Sequence, residues 1–184
     1  IAPNFTPEAI EIIQTRKPWG QNVRLLAVPD WSGQNKLDIC PCTPSGWDLK
    51  RIRGGILAQT RDDESLNESQ WKVVGETQPM PEQVEDLRFA WLVCKHVKSN
   101  AIVLAKNNTL LGTGAGQMAR INSARLACEF AGDETKGSVM ASDAFFPFRD
   151  SIDQAAKVGI TAIIEPGGSK RDEEVIQAAN EHKI

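Results

Sequence analysis

The sequence has few of the residues that most often carry out chemistry, with two histidines and four cysteines among 184 residues. Two histidines, one in a polar helix end, give no recognisable Ser-His-Asp set. No apolar run approaches the roughly 20 residues that cross a bilayer, and the longest, residues 101–105, is strand-sized. The formal net charge is only −3, which gives no reason to expect a nucleic-acid or anionic-membrane surface. We therefore expect a cytoplasmic protein without nucleic-acid or membrane partners.

The cysteines form neither a disulfide framework nor a zinc pattern. Cys94 and Cys128 fall in apolar helical stretches, where a thiol usually packs as a small hydrophobe. Cys40 and Cys42 have one residue between them, whereas zinc sites usually have two and need a second Cys or His pair. The His-x-Glu and Pro-Cys-x-x-Cys segments that zinc deaminases require are also missing. We therefore expect no metal site.

Helical and strand patterns alternate along the chain, which predicts a layered α/β domain. Thr6 and Pro7 have the chemistry of a helix start, and Ser169 with Asp172 resembles a capping box. Further helices are predicted at residues 82–96, 120–130 and 152–158. Strands are predicted at residues 23–28, 55–60, 71–74, 101–105, 110–113, 139–141 and 160–164. The pair Asn107-Asn108 predicts a tight hairpin turn, and residues 30–47 an irregular loop.

Three turns follow predicted strands and precede predicted helices, at residues 112–120, 142–150 and 166–172. In an α/β sheet such turns meet beyond the carboxyl ends of the strands, where ligands bind. The first is glycine-rich and ends at Arg120, which suits an anion or a carbonyl; a tight turn with an exposed arginine is the alternative. Asn100 enters an apolar strand and needs a polar partner, so we favour it over His96 as a site residue.

The other two turns differ in chemical character. The second holds three phenylalanines between Asp143 and Asp150, which suits a flat heteroaromatic ligand; rings buried in the core are the alternative. The third places Gly167, Gly168 and Ser169 at a helix start, where backbone N–H groups bind an anion or amide. An ordinary capped helix is the alternative there.

Four runs of residues occur in order and with matching spacing. They are Lys95-His-Val-Lys-Ser-Asn-Ala-Ile102, Gly114-Ala-Gly-Gln-Met-Ala-Arg120, Ser142-Asp-Ala-Phe-Phe-Pro-Phe-Arg-Asp150, and Pro166-Gly-Gly-Ser169 with Arg171-Asp-Glu-Glu-Val175. Together they resemble the bifunctional purine-biosynthesis enzyme family that is both AICAR formyltransferase and IMP cyclohydrolase. The resemblance extends back through Phe5-Thr-Pro-Glu-Ala9 and covers all but the loop at residues 30–47.

The resemblance implies a cytidine-deaminase-like layered α/β/α fold without the zinc site, present twice. Residues 1–78 are then the end of a first copy, and residues 79–184 are most of a second, truncated one. It implies transfer of a formyl group from the co-substrate formyl-tetrahydrofolate to the amine of AICAR in IMP biosynthesis, by a homodimer with shared active sites. It further implies that the AICAR nucleotide contacts Asn100, Arg120 and Phe145, and that the reduced folate contacts Ile121, Asp150, Ser169 and Lys170.

The sequence also departs from the family. The catalytic Lys-His pair of the family lies in a Lys-His-Val-Ser-Pro-Ala-Gly segment that this sequence lacks, and Lys95-His96 is not that pair. The sequence does not begin with Met and lacks the cyclohydrolase domain. We therefore expect a fragment of the formyltransferase domain that holds no catalytic residue and is inactive by itself. The alternatives are a non-catalytic nucleotide- or folate-binding module and a nucleoside-deaminase-like enzyme.

Overall fold

The computed structural model describes residues 1–16, 18–28, 47–60, 62 and 66–184. The chain divides into two compact units, Ile1–Glu64 and Ser65–Ile184. We predicted a boundary after residue 78, whereas residues 66–78 lie in the second unit. The identity of the two parts as cytidine-deaminase-like subdomains remains a prediction. Cys40, Cys42 and residues 30–46 of the predicted loop lie outside the described residues.

The described residues of the first unit contain one α-helix, a short 3-10 helix (Gly20–Asn22) and one hairpin. Helix α1 (Pro7–Thr15) begins as predicted, because the Thr6 hydroxyl accepts the backbone N–H of Ala9 at 3.2 Å. Strands β1 (Trp47–Ile52) and β2 (Gly55–Thr60) pair antiparallel. The strand predicted at residues 23–28 is wrong, since the described residues contain only a single bridge there, between Ala2 and Ala27. Most of that segment is exposed, so no described neighbour covers an apolar strand face.

The second unit is a mixed α/β structure. Its helices are α2 (Pro81–Lys95), α3 (Arg120–Ala131), α4 (Asp150–Lys157) and α5 (Asp172–His182). Its strands are β3 (Ile102–Lys106), β4 (Thr109–Gly114), β5 (Val139–Ser142) and β6 (Ala162–Ile164). The strand predicted at residues 71–74 is wrong, because that segment joins no sheet and three of its four residues are exposed. In the part of the chain described, no helix combines the length and apolarity needed to cross a membrane.

The four strands form one sheet in the order β4-β3-β5-β6. Strand β3 is antiparallel to both of its neighbours, and β5 is parallel to β6. The predicted hairpin between β3 and β4 turns at Asn107 and Asn108, which have φ values of 52° and 53°. Asparagine tolerates this left-handed conformation better than most residues do, so the prediction of a tight turn is confirmed.

Helices pack on both faces of the sheet. On one face, Ile102, Leu104 and Met140 contact residues of α3, α4 and α5. On the other, alternate strand residues such as Val103 and Val139 contact α2. This division follows from the two-residue period of side chains along a strand. Helices α3, α4 and α5 follow strands β4, β5 and β6 along the chain, so their first residues lie next to the turns that leave the sheet.

Two glycines of β4 allow α3 to lie close against the sheet. A Cβ atom on Gly112 would lie 2.0 Å from the backbone oxygen of Ala127, and one on Gly114 would lie 1.9 Å from that of Ser123. No real Cβ atom occupies such a position, so both residues serve helix–strand packing. We predicted instead that these glycines bring backbone N–H groups to an anion.

Candidate functional site

One end of the four-stranded sheet brings the three predicted turns together. Ile102, the first residue of β3, pairs with Gly114 at the end of β4 and with Ser142 at the end of β5. Ala141 of β5 pairs with Ile164, the last residue of β6. Strands β4, β5 and β6 therefore end where β3 begins. We call this region the site edge; it comprises residues 99–101, 115–121, 143–150 and 165–171.

Arg120, the first residue of α3, joins several segments of the site edge. Its side chain is 8% exposed. The Nη2 atom donates to Oδ1 of Asn100 at 2.9 Å, and Nη1 donates to the hydroxyl of Ser142 at 2.8 Å and to the carboxylate of Asp143. Nη1 also donates to the carbonyl of Ala101 at 3.3 Å. Because a guanidinium is planar, these bonds fix its direction as well as its position. The alternative of an exposed arginine is therefore wrong.

Asn100 has the polar partners that we predicted it to need. Besides the bond from Arg120 to Oδ1, Nδ2 donates to the backbone carbonyl of Gln117 at 2.7 Å. The backbone carbonyl of Asn100 accepts from the hydroxyl of Ser123 at 2.7 Å, and the peptide bond that joins Ser99 to Asn100 is cis. Both ends of the side-chain amide are thus held by groups of this chain.

Asp143 accepts hydrogen bonds from three directions. Its carboxylate contacts Arg120, the hydroxyl of Ser99, and the backbone N–H of Ala101 at 2.9 Å. Burial raises the pKa of Asp143, but hydrogen bonds from Ser99, Arg120 and Ala101, together with the arginine charge, outweigh burial and lower this pKa below its ordinary value. The group is therefore ionised at neutral pH and pairs with Arg120 in a position only 17% exposed.

Both backbone anion sites that we predicted already have acceptors from this chain. The backbone N–H of Gly116 donates to the carbonyl of Lys98 at 2.8 Å. The N–H groups of Gly168 and Ser169 donate to the carboxylate of Asp172, each at 2.8 Å. Asp172 therefore fills the position that an anionic ligand would take at the third turn. Helix α5 begins at Asp172, and its N-cap residue, Arg171, makes no side-chain capping bond.

The aromatic turn after β5 divides its three rings between core and surface. Phe146 is fully buried, whereas Phe145 and Phe148 are 42% and 48% exposed. The guanidinium of Arg171 lies 4.8 Å from the centroid of the Phe148 ring, a cation–π distance. The backbone N–H of Phe146 donates to the carboxylate of Glu165 at 3.1 Å. The ring of Phe146 thus fits the alternative of a ring buried in the core. The rings of Phe145 and Phe148 fit a surface that faces a ligand.

The other four candidates lie around the rim of the site edge. Ile121 is half-buried in the first turn of α3, and Asp150 is exposed at the first position of α4. One carboxylate oxygen of Asp150 accepts the backbone N–H of the next residue at 2.7 Å. Ser169 is half-buried, its hydroxyl accepting a backbone N–H two residues further on, and Lys170 is exposed. The ligand contacts of these four residues remain predictions, as do those of Asn100, Arg120 and Phe145.

Sequence analysis missed three polar residues that hold the site edge together: Ser99, Ser142 and Glu165. It noted Asp143 only as a neighbour of the phenylalanines. Ser142 is the last residue of β5, Asp143 and Glu165 directly follow β5 and β6, and Ser99 lies three residues before β3. A polar side chain at such a point must find a partner, and this signal would have identified them.

Within the described ranges, no group of three or more His, Cys, Asp or Glu residues is arranged to hold a metal ion. Cys94 and Cys128 are free and buried. Burial raises the pKa of the Cys94 thiol to about 12, with a further contribution from the charge of Asp143, so this thiol stays protonated at neutral pH.

Residues 1–130 match the family model of the AICARFT/IMPCHase bienzyme, which is more than half of the chain. This chain belongs to the AICARFT/IMPCHase bienzyme family. The members of the family are enzymes of purine biosynthesis. The matched range includes Asn100, Arg120 and Ile121, whereas the turns after β5 and β6 lie beyond it.

A solved structure of Acinetobacter baumannii RibD (form 2) is similar to part of the chain, with 14% sequence identity and a TM-score of 0.39. The similar region covers 56% of this chain and 33% of RibD. The chain thus matches about a third of the length of that protein.

Proposed function

We propose that the site edge is part of the AICAR formyltransferase site of the bienzyme, on a cytidine-deaminase-like fold. In this proposal it binds AICAR ribonucleotide and formyl-tetrahydrofolate, and a homodimer completes the site. The supporting observation is the network in which the buried guanidinium of Arg120 bonds to both Asn100 and Asp143. A polar network at the carboxyl ends of strands is typical of a ligand site in α/β proteins.

The nucleotide side of this site consists of Asn100, Arg120 and Phe145. A guanidinium has five N–H bonds, and the described contacts of Arg120 use Nη1 and one hydrogen of Nη2. The second Nη2 hydrogen and the Nε hydrogen are the donors that suit a carbonyl or phosphate oxygen. Asn100 offers the second lone pair of Oδ1, and the half-exposed ring of Phe145 offers a surface for a flat base.

The folate side consists of Ile121, Asp150, Ser169 and Lys170, next to the exposed ring of Phe148. These residues fit a flat heterocycle with N–H donors, because Asp150 is an exposed carboxylate next to an aromatic turn. Formyl-tetrahydrofolate, when bound, supplies a formyl carbon attached to nitrogen. The residues of this chain orient the two ligands so that the amine of one faces that carbon.

The reaction forms a bond between the amine nitrogen of AICAR and the formyl carbon, and it breaks the bond between that carbon and the folate nitrogen. A proton leaves the amine, and the folate nitrogen gains one. An aromatic amine is a weak nucleophile, so proton removal needs a base. We assign no residue of the site edge to that step, because Asp143 is ionised but fully engaged with Arg120, Ser99 and Ala101. The role proposed for this chain is binding and orientation.

Calorimetric titration tests the proposal with AICAR ribonucleotide and 5-formyl-tetrahydrofolate as separate probes. We expect the wild-type chain to bind both probes. We expect Arg120→Lys to weaken AICAR binding about tenfold, since lysine cannot reproduce the paired hydrogen bonds of a planar guanidinium. Arg125→Lys is the matched control, because Arg125 lies on α3 but is 65% exposed. Failure of the wild-type chain to bind either probe contradicts the proposal.

A formyl-transfer assay on the intact bienzyme separates the proposed enzyme from a non-catalytic binding module. Loss of transfer activity in Arg120→Lys and not in Arg125→Lys supports a role in transfer. Binding that is weakened without any change in transfer supports the binding-module alternative. Loss of cyclohydrolase activity alone would assign the site edge to the other reaction of the bienzyme.

A further inference from the structure

Glu165 connects two turns of the site edge through one side chain. It follows β6 directly and is half-buried. Its Oε2 atom accepts the backbone N–H of Phe146 at 3.1 Å. Phe146 belongs to the turn after β5, and Glu165 itself begins the turn after β6. The two turns are thus tied at one point.

The bond to Phe146 satisfies a group that would otherwise be costly. Phe146 is fully buried, and a buried backbone N–H without a partner costs about as much as a lost hydrogen bond. The next residue, Pro147, has no N–H of its own, so Phe146 is the donor through which this part of the turn is held. The exposed rings of Phe145 and Phe148 flank that anchored residue.

The surroundings of Glu165 shift the pKa of its carboxyl in both directions. Burial raises the pKa of its carboxyl, and the charge of Asp172 on α5 raises it further. The N–H groups of Phe146 and Gly167 and the charge of Arg120 on α3 lower it by less, so the net pKa lies above the ordinary value. Glu165 therefore gains a proton at a higher pH than an ordinary glutamate, and its hydrogen bond to Phe146 then loses its charge assistance.

We propose that Glu165 is a positioning residue that fixes the aromatic turn, Phe145 to Phe148, against the turn that carries Ser169, and so sets the width of the folate side of the site. This inference rests on the proposed function, because the two turns carry the residues assigned there to folate. Glu165 itself touches neither ligand in this proposal. It acts through the backbone of Phe146.

The variants Glu165→Ala and Glu165→Gln test this role, with Glu173→Gln on the exposed side of α5 as the matched control. The probe is 5-formyl-tetrahydrofolate, titrated from mildly acidic to mildly basic pH. We expect Glu165→Ala to bind it about tenfold more weakly at every pH. Glu165→Gln keeps an acceptor oxygen for Phe146, so we expect affinity within about threefold of the wild type at neutral pH.

The pH profile separates positioning from a general structural role. The affinity of the wild type should fall as the pH is lowered and Glu165 is protonated, and the profile of Glu165→Gln should lack that fall. Hydrogen exchange of the Phe146 amide, measured without ligand, should be faster in Glu165→Ala and unchanged in Glu173→Gln.

Wild-type affinity in Glu165→Ala, or identical pH profiles for the wild type and Glu165→Gln, overturns the inference and leaves the proposed function intact. Absence of folate binding by the wild type overturns the proposed function and the folate role of Glu165 with it. Unchanged exchange of the Phe146 amide in Glu165→Ala contradicts the tie between the two turns, whatever the ligand result.

Discussion

Two aspartates accept backbone N–H groups at opposite ends of β3. Asp86 of α2 is 7% exposed and accepts from Asn107 at 3.0 Å and Asn108 at 2.7 Å, in the hairpin turn. Asp143, at the other end, accepts from the backbone of Ala101 and also from the side chains of Arg120 and Ser99. Both carboxylates are largely removed from solvent, yet among the described residues only Asp143 has a cation as partner.

The difference shows why a buried carboxylate is not by itself a sign of function. The partners of Asp86 in the hairpin are two N–H groups of one turn, so its role is to shape that turn. Asp143 links side chains from different segments, and one of them, Arg120, is a predicted ligand contact. The chemistry of the partners, more than burial, therefore identifies the site edge.

The largest expected effect comes from removing the cation at the site edge. Arg120→Met leaves the carboxylate of Asp143 without its charged partner, and breaking a buried ion pair in this way costs about 3–5 kcal/mol of unfolding free energy. Urea denaturation measures the loss. Arg125→Met, on the exposed face of α3, should change stability by less than about 0.5 kcal/mol. A loss below about 1 kcal/mol in Arg120→Met would show that the network does not stabilise this end of β3.

Asp143→Asn should cost less, because the asparagine keeps an acceptor oxygen for Arg120, and the guanidinium left without a counter-charge still donates to Asn100, Ser142 and Ala101. We expect a loss of about 1.5–3 kcal/mol at neutral pH, as for a hydrogen bond to a charged group. The folded-state pKa of Asp143 is lowered, so its contribution is present above the unfolded-state pKa and is lost as the pH falls through the folded-state value. The stability difference between wild type and variant should therefore shrink in acid. A difference that is constant with pH contradicts the ionised role of Asp143.

Asp86→Asn tests the other end of β3. The asparagine can accept one of the two turn N–H groups, but its NH₂ group faces the second, so we expect a loss of about 1–2 kcal/mol. Affinity for AICAR ribonucleotide should be unchanged in Asp86→Asn and reduced in Asp143→Asn. Equal loss of affinity in both variants, measured by calorimetry, would remove the distinction between the two ends.

Local patterns predicted most elements of the second unit but not the contacts that distinguish its two ends. Helix α2 and the Asn107-Asn108 turn follow from spacing and from the conformational preference of asparagine. The bonds from Asp86 to that turn span 21 and 22 residues, and the bond from Ser99 to Asp143 spans 44. Single-sequence patterns hold no information on pairs so far apart. The strand predicted at residues 23–28 is wrong for a related reason. An apolar segment forms a strand only where a second strand pairs with it, and here the pairing is a single bridge.

The smallest expected effect is in the hairpin turn held by Asp86. Asn108 has a φ of 53°, a conformation that glycine adopts without strain and alanine does not. Both Asn108→Gly and Asn108→Ala keep the backbone N–H that donates to Asp86, so they change only the conformational preference. We expect Asn108→Gly to stay within about 0.5 kcal/mol of the wild type, since Asn-Gly is a preferred sequence for this turn. Asn108→Ala should lose about 1 kcal/mol, which thermal unfolding detects as a lower Tm. If the glycine variant were the less stable of the two, the left-handed conformation would not be what this turn requires, and Asp86 would have to be holding a different backbone shape.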